Sequence, residues 1–266
     1  MLSVLQLFTH SPLRNFSYIV YSDRSGEAVC IDPYDAKLIL THLKKHGLKL
    51  KSILNTHEHN DHVAGNLELK EETKALIYSH PNALGKIPGL DEVLKEGDIA
   101  FSHESETLVA WDTPGHTNCH LCFVLKNKTS HKAVFSGDTI FNAGVGNCYR
   151  GGNPSTLYNT LKNRFFSIEG ETLLYPGHDY WDSNLNFSET MEPDNKEITK
   201  IRNLAEAKKE TSEFLVSDFS MEKKVNPFFR LEQTTLQNNI REKNKETDFD
   251  SEKSYFLGLR RLRDHW

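Results

Sequence analysis

Three histidines and an aspartate lie close together in one short segment, directly after the apolar residues 53–54. Imidazole and carboxylate groups are common ligands of divalent metal ions, and His57, His59, Asp61 and His62 supply four of them. A helix would direct His57 and His59 to different faces, whereas a loop after a strand can direct both to one point. The adjacent pair Asp61 and His62 suits a second metal beside the first. The segment therefore predicts a two-metal hydrolytic centre, and the alternative is a solvated turn rich in histidine.

Three further potential ligands, His116, Asp138 and His178, each follow an apolar run of the kind that forms a buried strand. Each is preceded by a glycine, which permits a sharp turn where a strand ends. A single such residue is usually only part of a turn. Strand ends along one edge of a sheet are nevertheless where α/β folds gather their ligand sites, so four strand ends of the same design indicate one shared site.

Seven ligands suit two metal ions if Asp138 bridges them. We expect one metal to be bound by His57, His59, His116 and Asp138, and the other by Asp61, His62, His178 and Asp138. Each metal then keeps a position for a shared water, as catalytic sites do. Two adjacent metals lower the pKa of that water and stabilise an oxyanion, with Asp61 and Asp138 as the predicted catalytic carboxylates. Zinc is expected, with iron or manganese as alternatives, because a mixed histidine and aspartate set accepts all three.

The segments around these ligands alternate short apolar runs with polar turns. Strands are predicted at residues 4–8, 16–21, 28–32, 50–54, 75–78, 99–101, 107–111, 121–125 and 133–136, and helices at residues 36–46 and 63–72. Strands dominate but helices interleave with them, which indicates an α/β layered sandwich and not a β-barrel.

The character of the chain changes after about residue 184. Charged segments with apolar residues at helical spacing predict helices at residues 197–209, 231–240 and 255–262. The charged interval 241–253 is predicted to be an exposed loop with a helix end. We therefore expect a metal-binding domain at residues 1–180 and a smaller α-helical domain at residues 181–266.

The bulk properties exclude several classes of protein. The 266 residues include 32 Lys and Arg against 37 Asp and Glu, and a net charge of -5 argues against a general nucleic-acid binder. No apolar run is long enough to span a bilayer, and the first eight residues resemble a strand more than a signal peptide. Four cysteines do not make a disulfide framework in a chain of this length, although Cys119 and Cys122 have a spacing also found in zinc and redox sites. We expect a cytoplasmic monomer without nucleic-acid or membrane partners.

The predicted ligands stand in motifs that resemble those of the metallo-β-lactamase superfamily. These motifs are Thr56-His57-x-His59-x-Asp61-His62, Gly115-His116, Gly137-Asp138-Thr139 and Gly177-His178. The resemblance implies an αβ/βα sandwich with a dinuclear site at one edge. Within the superfamily, the chain is similar over essentially its whole length to the hydroxyacylglutathione hydrolases, also called glyoxalase II. Residues 133–144, 177–180, 184–185, 192–193, 226–230 and 259–264 carry that likeness.

The family resemblance implies that the helical domain binds glutathione. Tyr180 would hold the glutathione backbone, with Tyr149 and Asn184 as further contacts. Arg260 and Arg263 would meet the glycine carboxylate, and Arg263 stands where lysine is commoner. Pairing of arginine with a carboxylate can be bidentate, so this exchange is compatible with binding. The alternative for these arginines is a solvated helix face.

One position departs from the family pattern. Asn147 stands where a basic residue commonly contacts glutathione, and Arg150 lies three residues further on, where it could substitute. The departure predicts weaker glutathione binding or a shifted thioester preference.

The implied reaction is hydrolysis of S-(2-hydroxyacyl)glutathione to glutathione and a 2-hydroxy acid. S-D-lactoylglutathione is the expected substrate and D-lactate the product, in methylglyoxal detoxification. A thiolate is a good leaving group, so no strong general acid is needed. The alternatives are a glutathione persulfide dioxygenase with one iron and a metallo-hydrolase of another thioester. The acidic balance disfavours a nuclease of the same superfamily, and the complete ligand set disfavours a non-catalytic protein of this fold.

Overall fold

Two mixed six-stranded sheets pack face to face in the computed structural model of the chain, which describes residues 1–244 and 248–266. The first sheet contains, in spatial order, β1 (Leu2–Phe8), β2 (Phe16–Ser22), β3 (Glu27–Ile31), β4 (Lys49–Leu54), β5 (Leu76–Ser79) and β6 (Glu92–Val93). The second contains β7 (Ile99–His103), β8 (Glu106–Asp112), β9 (Leu121–Lys126), β10 (His131–Gly137), β13 (Leu173–Pro176) and β14 (Ser217–Asp218). A short hairpin of β11 (Ile140–Phe141) and β12 (Gly144–Val145) follows β10.

Helices cover the outer face of each sheet. They are α1 (Ala36–His46), α2 (Asn60–Val63), α3 (Asn66–Thr73), α4 (Pro154–Arg164), α5 (Trp181–Met191), α6 (Lys196–Glu210), α7 (Phe219–Val225), α8 (Thr234–Lys243) and α9 (Glu252–Asp264). Among the residues that the structure describes, none of the helices is long and apolar enough to cross a membrane.

Strand β9 shows why the sequences of several strands are continuous apolar runs. Leu121, Phe123 and Leu125 point into the layer between the two sheets, whereas Cys122 and Val124 point into the layer beneath the helices. A strand that is buried on both faces needs apolar side chains at every position, because successive residues alternate between the faces. The resulting helix–sheet–sheet–helix order confirms the predicted αβ/βα sandwich.

The predicted strands coincide with observed strands to within two residues at each end. The predicted helix at residues 63–72 is wrong in one respect, because it is divided into α2 and α3. Gly65 lies at the break, where its amide donates to the Pro33 carbonyl oxygen and an added Cβ would come within 2.6 Å of that oxygen. The backbone therefore leaves the helix to pack against the preceding loop.

The C-terminal helices are also confirmed, with shifted ends. Residues 197–209 and 255–262 lie within α6 and α9, while the helix predicted at 231–240 runs as α8 from Thr234 to Lys243. Of the predicted loop at 241–253, residues 245–247 lie outside the described residues.

The predicted domain boundary at residue 180 stays a prediction. Strand β14, from the C-terminal part, pairs with β13 of the second sheet. One apolar cluster also contains Val134 and Leu174 of the sheet together with Phe256 and Leu259 of α9. The helical part therefore shares a core with the sheet whose strands precede three of the predicted ligands, His116, Asp138 and His178.

Candidate metal centre

The seven predicted ligands lie together at one edge of the sandwich, beyond the ends of strands from both sheets. Four of them follow β4, and the other three follow β8, β10 and β13. They form two groups whose ligand atoms lie within 4.8 Å of one another: His57, His59, His116 and Asp138 in one group, and Asp61, His62 and His178 in the other. Strands β10 and β13 are parallel neighbours, which places Asp138 beside His178. The structure thus brings together residues that are up to about 120 positions apart.

The spacing of these atoms fits a metal centre. Nε2 of His62 lies 3.2 Å from Nε2 of His178 and 3.3 Å from Oδ1 of Asp138. Nε2 of His116 lies 3.1 Å from Nδ1 of His59 and 3.5 Å from Oδ2 of Asp138. A tetrahedral ion with bonds of about 2.0–2.1 Å has ligand atoms about 3.3 Å apart. Oδ1 of Asp138 faces His62 and His178 and its Oδ2 faces His116, an arrangement that would suit a ligand shared by two ions.

The charges and unmet hydrogen bonds at the centre fit a cation. Nε2 of His57 and Oδ1 of Asp138 are buried and have no hydrogen-bond partner among the described residues. Burial lowers the pKa of His57 and of His116, so each imidazole is neutral and can offer a lone pair. Burial also opposes protonation of His62, yet Asp138 and Asp32 outweigh it and raise the pKa of His62 well above its usual range. This point in the structure therefore stabilises positive charge.

Hydrogen bonds fix the rings of three of the histidines. Each donates from Nδ1, and the pairs are His116 with the Asn147 carbonyl oxygen (2.6 Å), His178 with the Leu13 carbonyl oxygen (2.7 Å) and His62 with Oδ2 of Asp32 (2.9 Å). Such partners select the tautomer whose Nε2 lone pair points at the metal. Asp32 directly follows β3, so the pattern of strand-end ligands could have identified it. The two backbone carbonyl acceptors could not be identified from the sequence, because every residue type has a carbonyl group.

Asn15 is a further residue that the sequence did not identify. Its side chain is 1% exposed, and its Nδ2 donates to Oδ2 of Asp61 over 2.9 Å. Burial raises the pKa of Asp61, but His62 and the Asn15 amide lower it more strongly, so the net pKa is lowered. Burial of Asp138 is likewise outweighed by His178 and His62, which hold its pKa well below the usual range. Both carboxyl groups are therefore ionised.

The two tyrosines of the predicted substrate site differ in their surroundings. The ring of Tyr180 stacks on His178, with centroids 4.8 Å apart and an interplanar angle of 5°. Tyr149 is 65% exposed, and its hydroxyl donates to the Asp264 carbonyl oxygen over 3.3 Å. Tyr180 is therefore part of the wall of the centre, whereas Tyr149 lies at the surface near the end of α9.

The two predicted arginine contacts also differ. Arg263 is half-buried, donates from Nη2 to Oγ of Ser183 over 2.8 Å, and lies close to the rings of both Phe187 (5.6 Å) and Trp266 (5.2 Å). Arg260 is 4% exposed and bonds to protein groups with all three of its nitrogens. Of these two arginines, only Arg263 is partly exposed.

Asn184 is buried and holds the chain near the metal centre. Its Nδ2 donates to the Asn142 carbonyl oxygen over 2.8 Å, and its Oδ1 accepts from Arg263 over 3.2 Å. Asn147 and Arg150, at the position of the family departure, are both exposed.

The cysteines take no part in the centre. All four are free thiols, and burial raises the pKa of Cys119 to about 11 and that of Cys122 to about 12. Burial therefore disfavours the thiolate form of both cysteines near neutral pH, and neither belongs to the two groups of candidate metal ligands.

Comparison with known proteins agrees with this geometry. The family model for the metallo-β-lactamase superfamily matches residues 15–198, and the model for the hydroxyacylglutathione hydrolase C-terminus matches residues 179–266. The chain is 40% identical to a hydroxyacylglutathione hydrolase of Nitrosococcus oceani, over 98% of each chain.

Solved structures share the fold. ETHE1 from Myxococcus xanthus aligns over 98% of each chain with a TM-score of 0.66 and 23% identity. TTHA1623, solved in a di-iron-bound form, aligns with 65% of this chain and 91% of its own, with a TM-score of 0.53 and 29% identity.

Proposed function

Because this chain belongs to the hydroxyacylglutathione hydrolase family of the metallo-β-lactamase superfamily, we propose that it hydrolyses S-(2-hydroxyacyl)glutathione thioesters. The expected substrate is S-D-lactoylglutathione, which gives glutathione and D-lactate in methylglyoxal detoxification. The proposal rests on the two neighbouring groups of candidate ligands, one of which contains Asp138. They occur in a chain whose residues 179–266 match the hydroxyacylglutathione hydrolase C-terminus.

We assign seven side chains to two divalent metal ions, which would share the carboxylate of Asp138. When bound, the ions would supply a hydroxide from water at neutral pH and stabilise a developing oxyanion. We assign the ionised carboxylate of Asp61, whose Oδ2 accepts a hydrogen bond from Asn15, to orienting the attacking oxygen. The departing thiolate needs no strong acid, since thiol pKa values lie near neutrality. We expect zinc, with iron or manganese as alternatives that the mixed donor set also accepts.

The glutathione part of the substrate is assigned to the surface beside Tyr180. Tyr180 stacks on His178. A substrate group bound to the Tyr180 hydroxyl would therefore lie beside the candidate ligands Asp61, His62 and His178. Arg263 is the partly exposed member of the two predicted arginines and is assigned to the glycine carboxylate. Tyr149 and Arg150 are exposed on the neighbouring loop and can reach the same substrate from solvent. Asn184 and Arg260 stay predictions as direct contacts, because their donors already serve the protein.

The test is a steady-state assay with S-D-lactoylglutathione, together with elemental analysis of the purified protein. We expect thioester hydrolysis and about two metal equivalents in the wild type. Asp138→Ala should lose both, because each ligand group loses its shared carboxylate. Asp23→Ala, which removes an exposed aspartate whose hydrogen-bond partner is Ser3 and not a residue of the centre, is the matched control. Wild-type turnover in Asp138→Ala would refute the bridging assignment.

The same preparation distinguishes the alternatives. Oxygen consumption with glutathione persulfide, and one iron per chain, would identify a dioxygenase instead. Faster hydrolysis of other thioesters than of glutathione thioesters would show that the protein is a thioesterase with a different substrate.

We also propose a cytoplasmic monomer without nucleic-acid or membrane partners, in agreement with four free thiols and a net charge of -5. Light scattering on the purified protein tests the monomer.

A further inference from the structure

His120 is a buried histidine at the metal centre that belongs to neither group of candidate ligands. It directly precedes β9 and follows His116 on the same loop. Its ring packs on the ring of His57, with centroids 5.1 Å apart and an interplanar angle of 22°. Burial of an imidazole is costly unless its ring nitrogens have partners, so the partners of His120 indicate what it does.

The partners of His120 define which of its nitrogens carries the proton. The Asp138 backbone amide donates to Nε2 over 3.2 Å, so Nε2 offers its lone pair there. A neutral ring then has its proton on Nδ1, which lies 3.0 Å from Oγ1 of Thr113 and 3.1 Å from Oγ1 of Thr139. Both hydroxyl oxygens can accept from it. His120 therefore has no lone pair left for a metal ion.

The chain turns tightly over His120 where it leaves β10. Gly137 has a φ of +47°, and an ideal Cβ there would lie 2.8 Å from Nε2 of His120 and 2.6 Å from Oγ1 of Thr56. This turn brings the Asp138 amide onto the His120 ring. A buried amide without an acceptor costs about 1–3 kcal/mol. The bond to His120 therefore favours the backbone position from which the Asp138 carboxylate faces both ligand groups.

The stacked pair of rings adds a second constraint. Nδ1 of His57 lies 2.9 Å from Oγ1 of Thr56, and His120 covers one face of the His57 ring. Nε2 of His57, buried and without a partner among the described residues, is the nitrogen that is left for a metal. His120 thus contacts two candidate ligands of the same group, Asp138 through a hydrogen bond and His57 through its ring face.

We propose that His120 is a positioning residue of the metal centre, whose neutral ring accepts the Asp138 amide and supports the His57 ring. The inference rests on the metal assignment in the proposed function. It concerns the chain's own residues, however, and its main tests need no substrate.

The first test is the tautomer of His120 in the wild-type protein, measured by NMR after labelling of the histidines with ¹⁵N. The signal that disappears in His120→Gln assigns the ring. We expect a proton on Nδ1 and none on Nε2, in both the metal-free and the zinc-loaded protein. A proton on Nε2, or a metal-bound nitrogen of His120 in the zinc-loaded protein, would overturn the inference.

The second test compares His120→Gln with His120→Asn. Glutamine can place Oε1 where Nε2 lies and accept the Asp138 amide, whereas asparagine is one carbon shorter and reaches only the place of Nδ1. Both variants lose the ring over His57, so their difference isolates the hydrogen bond. We expect His120→Asn to bind zinc about 10–100-fold more weakly than His120→Gln in competition with a chelator. His131→Gln, whose lost partner is Glu169, is the matched control and should keep the wild-type affinity.

Kinetics with S-D-lactoylglutathione complete the comparison. Relative to His120→Gln, His120→Asn should lower kcat about tenfold or more with KM within about twofold, because the shared carboxylate is displaced and the glutathione contacts are not. Equal zinc affinity in the two variants would overturn the inference, and the tautomer decides it if His120→Asn does not fold. Failure of the wild type to hydrolyse the thioester would instead refute the proposed function and leave the tautomer and zinc measurements to decide the role of His120.

Discussion

The buried carboxyl group of Glu222 should make the stability of this protein depend on pH. Glu222 is fully buried on α7, and its partners are neutral: the Ala143 amide, Asn226 Nδ2 and Ser217 Oγ. Burial raises its pKa from 4.5 to about 7, more than these hydrogen bonds lower it. Between these two values the folded protein binds more protons than the unfolded chain does. Stability from this group is therefore present below pH 4.5 and is lost as pH rises to about 7.

The magnitude follows from the difference between the two pKa values. A difference of about 2.5 pH units corresponds to on the order of 3 kcal/mol, since one unit is 1.36 kcal/mol. Glu222→Gln mimics the protonated acid, because one amide oxygen can still accept from the Ala143 amide while the NH₂ group can donate to Ser217. The variant should match the wild type at pH 4.5 and exceed it by on the order of 3 kcal/mol at pH 8.

The assay is urea unfolding of zinc-loaded wild type and Glu222→Gln at intervals from pH 4.5 to 8. The two proteins have the same metal ligands and the same other titrating groups, so these contributions cancel in the difference. Glu206→Gln, which changes an exposed glutamate of α6, is the matched control and should keep the wild-type pH dependence. A difference between Glu222→Gln and wild type that stays constant across this range would refute the reasoning.

Two further substitutions test groups around the metal centre. Asn15→Ala removes the donor to Asp61 and should reduce zinc affinity or kcat about 10–100-fold, as loss of a ligand's hydrogen-bond partner commonly does. Chelator competition and steady-state kinetics measure this, and wild-type values in both would show that Asp61 holds its position without Asn15. Tyr180→Phe keeps the stacked ring on His178 but removes the hydroxyl, so KM should rise about two- to tenfold with kcat and zinc content unchanged. An unchanged KM would remove the hydroxyl from the glutathione site.

The sequence alone predicted the seven candidate ligands that the structure brings together, because the signals that identify them are local. Each of the seven ligands is recognisable by its type, by the apolar strand before it and by a turn that presents it, and these signals need no knowledge of distant residues. The strands were predictable for the same reason, because burial on one or both faces produces a short-range pattern of apolar residues. The break at Gly65 was not predictable, because it depends on the carbonyl of Pro33.

Tertiary structure decided how the ligands are held and which arginine remains accessible. Asn15, the Leu13 and Asn147 carbonyls, and Glu222 are defined by partners elsewhere in the chain, and carbonyl acceptors have no side-chain signature. Arg260 and Arg263 lie three positions apart on α9 and are the same residue type, so the sequence alone does not distinguish them. In the folded chain, Arg260 is buried against Asp264 and the Val145 carbonyl oxygen, whereas Arg263 is partly exposed beside Ser183. The two differ because the faces of a helix acquire different neighbours only when the chain packs.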